Sequence, residues 1–194
     1  MRVWLLTNTT YGTWLPGSCR GSVTSVRDVR PGEVPAVVRI EHDAPGEPCE
    51  EALPGLEASA REQMTGPPIV LDRTRAEAVL AQFHETARFR GWALRAVAVM
   101  YNHFHIVVQV PGDPCPKKVL AGFKAYATRV LNRCLGVPPS ETWWTEKGSK
   151  RKLRDDAAVR AAIHYVAFKQ PDPLALWFEP NHPGEPGALA TGVL

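Results

Sequence analysis

His103 and His105 flank Phe104 in the stretch MYNHFHIVVQV. The stretch reads as a β-strand, and residues two apart on a strand share a face. Both imidazoles therefore project together, while Phe104, Ile106, Val108 and Val110 point the other way, into a core. Neutral imidazole is a common metal ligand, so the pair is half of a metal site. Further along comes Tyr165, in an apolar-periodic segment that also carries Lys169 and Gln170. Two histidines on a strand followed by a tyrosine helix suggest metal-assisted attack on a DNA phosphate.

The spacing predicts a helix over 157–169 with Val159, Ala162, Ile163 and Val166 as its core stripe. At about 100° per residue, Tyr165 lies roughly 110° from the middle of that stripe. Ala158, Ala161, Tyr165 and Lys169 line one flank, where the alanines leave room for a bulky ligand. Lys169, one turn beyond Tyr165, points the same way. A cation held by His103 and His105 would orient a scissile phosphate and withdraw charge from it. Attack by the Tyr165 hydroxyl would leave a covalent 5′-phosphotyrosine and a free 3′-hydroxyl. The phosphodiester energy is conserved, so a second strand can be joined without ATP. A free phenol ionises near pH ~10, so the step needs positive charge close by, which the metal and Lys169 would supply. Gln170 is the candidate third, oxygen-donating ligand. Mg²⁺ prefers oxygen donors, and Mn²⁺ tolerates imidazole better.

A chain of 194 residues with 44% hydrophobic content predicts one domain with insertions. There is no apolar run long enough for a membrane span. The start, MRVWLLTNTTYGTW, lacks the features of a signal peptide, which predicts a cytoplasmic protein. Cys19, Cys49, Cys115 and Cys134 form no C-x-x-C pair, so a zinc ribbon is not expected and the thiols read as reduced. The net charge of +3 is uneven: residues 115–170 hold 12 Lys/Arg against 4 Asp/Glu, and the rest 11 against 16. A basic half suits a polyanion, because neutralised phosphates release counterions. Within it, Trp143 and Trp144 precede Lys147, Lys150, Arg151, Lys152 and Arg154, offering charge with stacking surface for single-stranded DNA. The same run also suits a solvated hairpin. Lys124 and Arg129 are further candidate phosphate contacts, beside a Tyr126 expected to pack in the core.

The elements that position these residues read as follows. Residues 2–9 form a strand leading into a Gly/Pro loop. Residues 27–68 are a Pro/Gly-rich insertion, partly mobile, with a short helix near 56–64. A helix opens at a Thr74–Glu77 capping box, presents Val79, Leu80, Phe83 and Ala87, with Phe89 at its margin, and ends at Gly91. Strands follow at 92–100 and 103–110, turning at Tyr101–Asn102. A helix covers 117–135. Residues 145–153 make a hairpin or edge strand turning at Gly148. Asp155 or Asp156 caps the last helix, and the tail 171–194 is loosely ordered. The order β-α-β-β-α-β-α predicts an α+β fold: a ferredoxin-like split βαβ antiparallel sheet with helices on one face, spanning residues 1–170.

NHFHIVV resembles the HUH motif of single-tyrosine transposases, the insertion-sequence and REP-associated tyrosine transposase group. The stretch from Ala162 to Val166, with Gln170, resembles that group's nucleophile helix. TTYGTWLPG, GPPIVL, RGWALRAVAVM and WWTEKGSKRKL are similar to one branch of these proteins. The resemblance covers residues 1–170 apart from 27–55. It implies a ferredoxin-like fold, Mg²⁺ or Mn²⁺, binding of DNA hairpins formed by imperfect palindromes, and single-strand cleavage and rejoining. A homodimer that swaps the tyrosine helix is compatible with it. It implies His103 and His105 as metal ligands, Tyr165 as nucleophile and Gln170 as third ligand. One departure stands out: the group's Gln or Asn usually lies four residues after the tyrosine, where this chain has Lys169. In related HUH replication initiators a lysine near the tyrosine serves the active site. Two other classes stay open. One is a hairpin-DNA binder that keeps the fold without cleaving. The other is a phosphoesterase of small substrates, weakened because a two-histidine-motif enzyme needs a second H-x-H and this chain has one.

Overall fold

The computed structural model describes residues 1–18, 26–28, 38–40 and 52–180. The elements are β1 (Arg2–Thr9), β2 (Val26–Asp28), β3 (Val38–Ile40), α1 (Pro54–Glu62), α2 (Arg73–Arg90), β4 (Ala93–Val99), β5 (His103–Val110), α3 (Pro116–Leu135), β6 (Ser149–Leu153), α4 (Asp156–Phe168) and β7 (Ala175–Phe178). Five strands form one antiparallel sheet in the order β6-β1-β5-β4-β7. The first four are two interleaved split units, β1-α2-β4 and β5-α3-β6, each leaving space for a strand of the other. That is the ferredoxin-like arrangement expected from the element order. Strands β2 and β3 pair separately. Most of the expected insertion, with Cys19 and Cys49, lies outside the described residues.

Period-two alternation gives each sheet face its own core. On one face Leu6, Val97, Val99, Phe104, Ile106 and Val108 meet Val79 and Phe83 of α2 and Val119, Phe123 and Leu131 of α3. The ring of Phe83 sits edge-on to Phe104 at 5.0 Å and to Phe123 at 5.3 Å. Helix α4 packs on the opposite face, where Ala96, Ala98, Met100 and Val107 lie beneath Val159, Ala162, Ile163 and Val166. The small side chains of β4 leave room for that helix. His103 and His105 share this second face, because they alternate with Phe104 and Ile106.

Several local expectations are corrected. The N-cap of α2 is Asp72, not Thr74; the Asp72 carboxylate accepts from the Arg75 N–H at 2.8 Å. Asp outperforms Thr as a cap, and it lies where the backbone is still extended. Gly91 closes the helix at φ 65°, as expected. Phe89 is 78% exposed and outside the core. Residues 175–178, read as part of a loose tail, form β7 on the edge of β4. Arg95 fastens that strand: its guanidinium is bidentate to Glu179 and also donates to Gln109 Oε1 at 3.0 Å. Residues 181–194 lie outside the described residues. Among the described residues no helix is long and apolar enough to cross a membrane.

Candidate metal centre and tyrosine

The two imidazoles stand side by side near the start of β5, ring centroids 4.9 Å apart. His105 is buried and His103 half-buried. Register places Thr7 of β1 and Ala98 of β4 opposite His105, and Thr9 opposite His103. Nδ1 of His103 donates to Asn102 Oδ1 at 2.7 Å. Nδ1 of His105 lies 2.7 Å from the Thr7 hydroxyl. With both Nδ1 atoms engaged, Nε2 is the nitrogen each ring has left to offer. Burial pushes both histidines below their usual range, His105 to about 3, where the neighbouring His103 adds to the shift. Both rings are therefore neutral at neutral pH, the form that binds metal.

Helix α4 brings the phenol to this pair. Asp155 caps it, its carboxylate accepting the Ala158 N–H at 2.7 Å. The Tyr165 ring sits edge-on to His105, centroids 5.5 Å apart, and is 43% exposed. The phenol thus stands at the border of core and solvent. Lys169 is the C-cap of α4, its backbone N–H bonded to the Tyr165 carbonyl, and is exposed.

Gln170 follows the end of the helix and is half-buried. Its side chain lies near enough to His103 and His105 to favour their charged forms, against the larger effect of burial. Its Nε2 also lies 3.4 Å from the Tyr165 carbonyl. The physical reason for the one-residue shift is Pro171, which disfavours helical backbone at the residue before it. The helix ends at Phe168, and the unwound chain turns Gln170 rather than Lys169 onto the histidines. Among the described residues no cluster of three His, Cys, Asp or Glu side chains is present, so the converging set is two imidazoles and one amide. Two neutral imidazoles side by side, with a neighbouring amide to lend an oxygen, are a donor set that fits a divalent cation keeping water in its other positions.

The expected DNA-contacting residues divide. Trp143 and Trp144 are core residues, 5% and 3% exposed, so neither is a stacking surface. Their indole N–H groups are used internally, donating to Asn132 Oδ1 at 2.6 Å and Thr128 Oγ1 at 3.2 Å. Trp144 also stands edge-on to Phe104. Lys124 is half-buried and donates to the carbonyls of Thr145 and Glu146 at 2.6 and 3.0 Å. Burial, then Lys150, lowers its pKa to about 8. The Arg129 guanidinium lies 4.8 Å over the Tyr126 ring. Lys124 and Arg129 belong to α3, on the sheet face away from the histidines. Along β6, Lys150 and Lys152 pair with Leu6 and Trp4 and share their face, whereas Arg151 pairs with Leu5 and faces the histidine side. Lys147 and Arg154 are exposed at the two ends of this strand. His164 is half-buried with its ring 5.3 Å from Phe168.

Thr7, Asn102 and Trp14 belong to the site and were not singled out by sequence. The Trp14 ring stacks on His103 at 5.5 Å and 27°. Its indole Nε1 is buried with no hydrogen-bond partner among the described residues. The available signals were Asn102 directly before the H-x-H and the TTYGTWLPG string; placing Thr7 required the β1–β5 register.

No protein-family model matches the sequence, and no curated protein matches it. Among solved structures, one similar chain is a REP-associated tyrosine transposase bound to a REP hairpin. The identity is 12%, the TM-score 0.42, and the match covers 87% of this chain. The chain spans 66% of that neighbour's length. Neither identity nor superposition is close enough to carry residue roles across.

Proposed function

We propose that this protein is a metal-dependent single-tyrosine DNA transesterase, which cleaves and rejoins single strands through a 5′-phosphotyrosine and recognises hairpins of imperfect palindromes. The observation that carries this reading is the convergence of His103, His105, Gln170 and Tyr165 from two separate elements. The two imidazoles and the Gln170 amide would hold Mg²⁺ or Mn²⁺. When bound, the ion supplies positive charge to a phosphate oxygen. Tyr165 presents its hydroxyl beside His105, with one flank open to a strand. Its Oη forms a bond to phosphorus as the bond to the 3′ oxygen breaks. The phenolic proton passes to solvent, and the departing 3′ oxygen takes up a proton to become a hydroxyl. Rejoining is the reverse, with a 3′-hydroxyl attacking the phosphotyrosine. Lys169, one turn from Tyr165, adds positive charge at the helix end, and Arg151 offers a phosphate contact on the same sheet face.

The test is a denaturing gel of protein incubated with hairpin-forming oligonucleotides from palindromes flanking its gene, with and without Mn²⁺. A metal-dependent protein–DNA adduct is expected for the wild type, and none for Tyr165→Phe or the His103→Ala/His105→Ala double variant. Tight hairpin binding by all three with no adduct would replace the reading with a non-cleaving DNA binder.

A further inference from the structure

The N-terminal string TTYGTWLPG has no part in the chemistry above, yet its residues surround the histidine pair. Thr10 is fully buried. Its backbone N–H donates to the Asn102 carbonyl at 2.8 Å, and its hydroxyl donates to the same oxygen at 3.0 Å. The Thr13 hydroxyl donates to the Thr10 carbonyl at 3.0 Å. At Gly12 the backbone reverses with φ 71°, and an added Cβ would collide with the Met64 side chain. That turn carries Trp14 back over His103. On the other side, the Met100 N–H donates to the His103 carbonyl at 2.8 Å, so Asn102 is clamped within the β4–β5 turn. Asn102 is 3% exposed, and its Oδ1 is an oxygen that only accepts. It therefore requires the proton of His103 on Nδ1. The Thr7 hydroxyl meets Nδ1 of His105 and, able to donate or accept, orients that ring without dictating where its proton sits.

We infer that Asn102 is a positioning residue that fixes the His103 imidazole with its proton on Nδ1, so that the Nε2 lone pair is set toward the site before any metal arrives, and that Thr7 holds the orientation of the His105 ring. The segment from Thr10 to Trp14 is the brace that holds Asn102 and His103 in place. Groups hydrogen-bonded behind a metal-binding histidine fix its tautomer and ring orientation, and losing one costs roughly 10–100-fold in metal affinity. The metal half of this inference rests on the function proposed above; the tautomer half does not.

The experiment uses the full chain with ¹⁵N-labelled histidine. Long-range ¹H–¹⁵N correlation of the metal-free protein at neutral pH reads the tautomers, and titration with Mn²⁺ alone reads affinity. Wild type is expected to show Nδ1–H at His103. Asn102→Ala should mix the His103 tautomers and lower Mn²⁺ affinity about tenfold or more, with Asn102→Asp restoring the Nδ1–H signal. Thr7→Val, which keeps the side-chain shape, should lower Mn²⁺ affinity and leave the His103 tautomer as it is, and Thr7→Ser should restore the affinity. An Nε2–H tautomer at His103 in the wild type would overturn the inference, as would an unchanged tautomer in Asn102→Ala. If Asn102→Ala fails to fold, the wild-type tautomer decides alone. Wild type with the expected tautomer, mixed in Asn102→Ala, but no Mn²⁺ uptake would support the positioning role and sink the proposed function instead.

Discussion

Tyr165 contributes little to packing, because its ring is at the border of the core and 43% exposed. Tyr165→Phe removes one hydroxyl and leaves the edge contact to His105. Its effect on unfolding free energy should stay within about 0.5 kcal/mol, checked by urea titration, while adduct formation is abolished. Gln170 behaves differently. Gln170→Leu keeps the bulk but removes the oxygen donor, and Mn²⁺ affinity by calorimetry should fall on the order of tenfold or more; unchanged affinity would remove Gln170 from the site. The histidine pair was legible in the sequence because strand alternation and its apolar backing are local features. The place of Gln170 depends on where the helix ends, which Pro171 controls. The tryptophans were misread because their charged neighbours suggested a surface. Their N–H groups instead find Asn132 and Thr128, contacts between segments remote in sequence from one another's local pattern.

Helix α4 holds the phenol in register through its buried stripe, of which Ile163 is the largest member, 1% exposed. Ile163→Ala should destabilise the fold by about 2–5 kcal/mol in urea unfolding. The α2 and α3 face answers to another residue: Phe104 is fully buried between Phe83 and Trp144. Phe104→Ala should cost about 3–5 kcal/mol, more than a surface residue of the same strand. Where β6 begins, Lys124 caps two carbonyls while burial lowers its pKa from 10.5 to about 8. A lysine depressed on folding takes up fewer protons folded than unfolded between those values. The penalty on its charged form is full below pH ~8 and is relieved as pH rises toward ~10. Thermal unfolding of wild type against Lys124→Met should therefore shift in favour of wild type across that interval; a constant gap would contradict it. The major elements were legible from periodicity and punctuation. Strand β7 was not, since a short edge strand in a Pro-rich stretch is specified by its partner β4 and by Arg95, far away in sequence.

Across the whole molecule the basic half of the chain does not become one basic surface. The sheet separates Lys124 and Arg129 on the α3 side from the histidines, and alternation along β6 sends Lys150 and Lys152 one way and Arg151 the other. The charge asymmetry visible in the sequence is real, but its division between two faces needed the sheet register. Arg151→Ala should lower the affinity for a single-stranded oligonucleotide and reduce the slope of log affinity against log salt by about 0.7. Arg129→Ala should leave both unchanged. Equal effects from the two variants, measured by fluorescence anisotropy over a salt series, would show that DNA does not follow the histidine face. The most direct measurement of the proposed chemistry is mass mapping of the covalent adduct formed with Mn²⁺ and a hairpin-flanked single strand. Digestion after Arg160 and Lys169 isolates the peptide that carries Tyr165. The predicted result is that this peptide bears the 5′-phosphorylated strand; the adduct on the peptide carrying Tyr126, or on none, would contradict it.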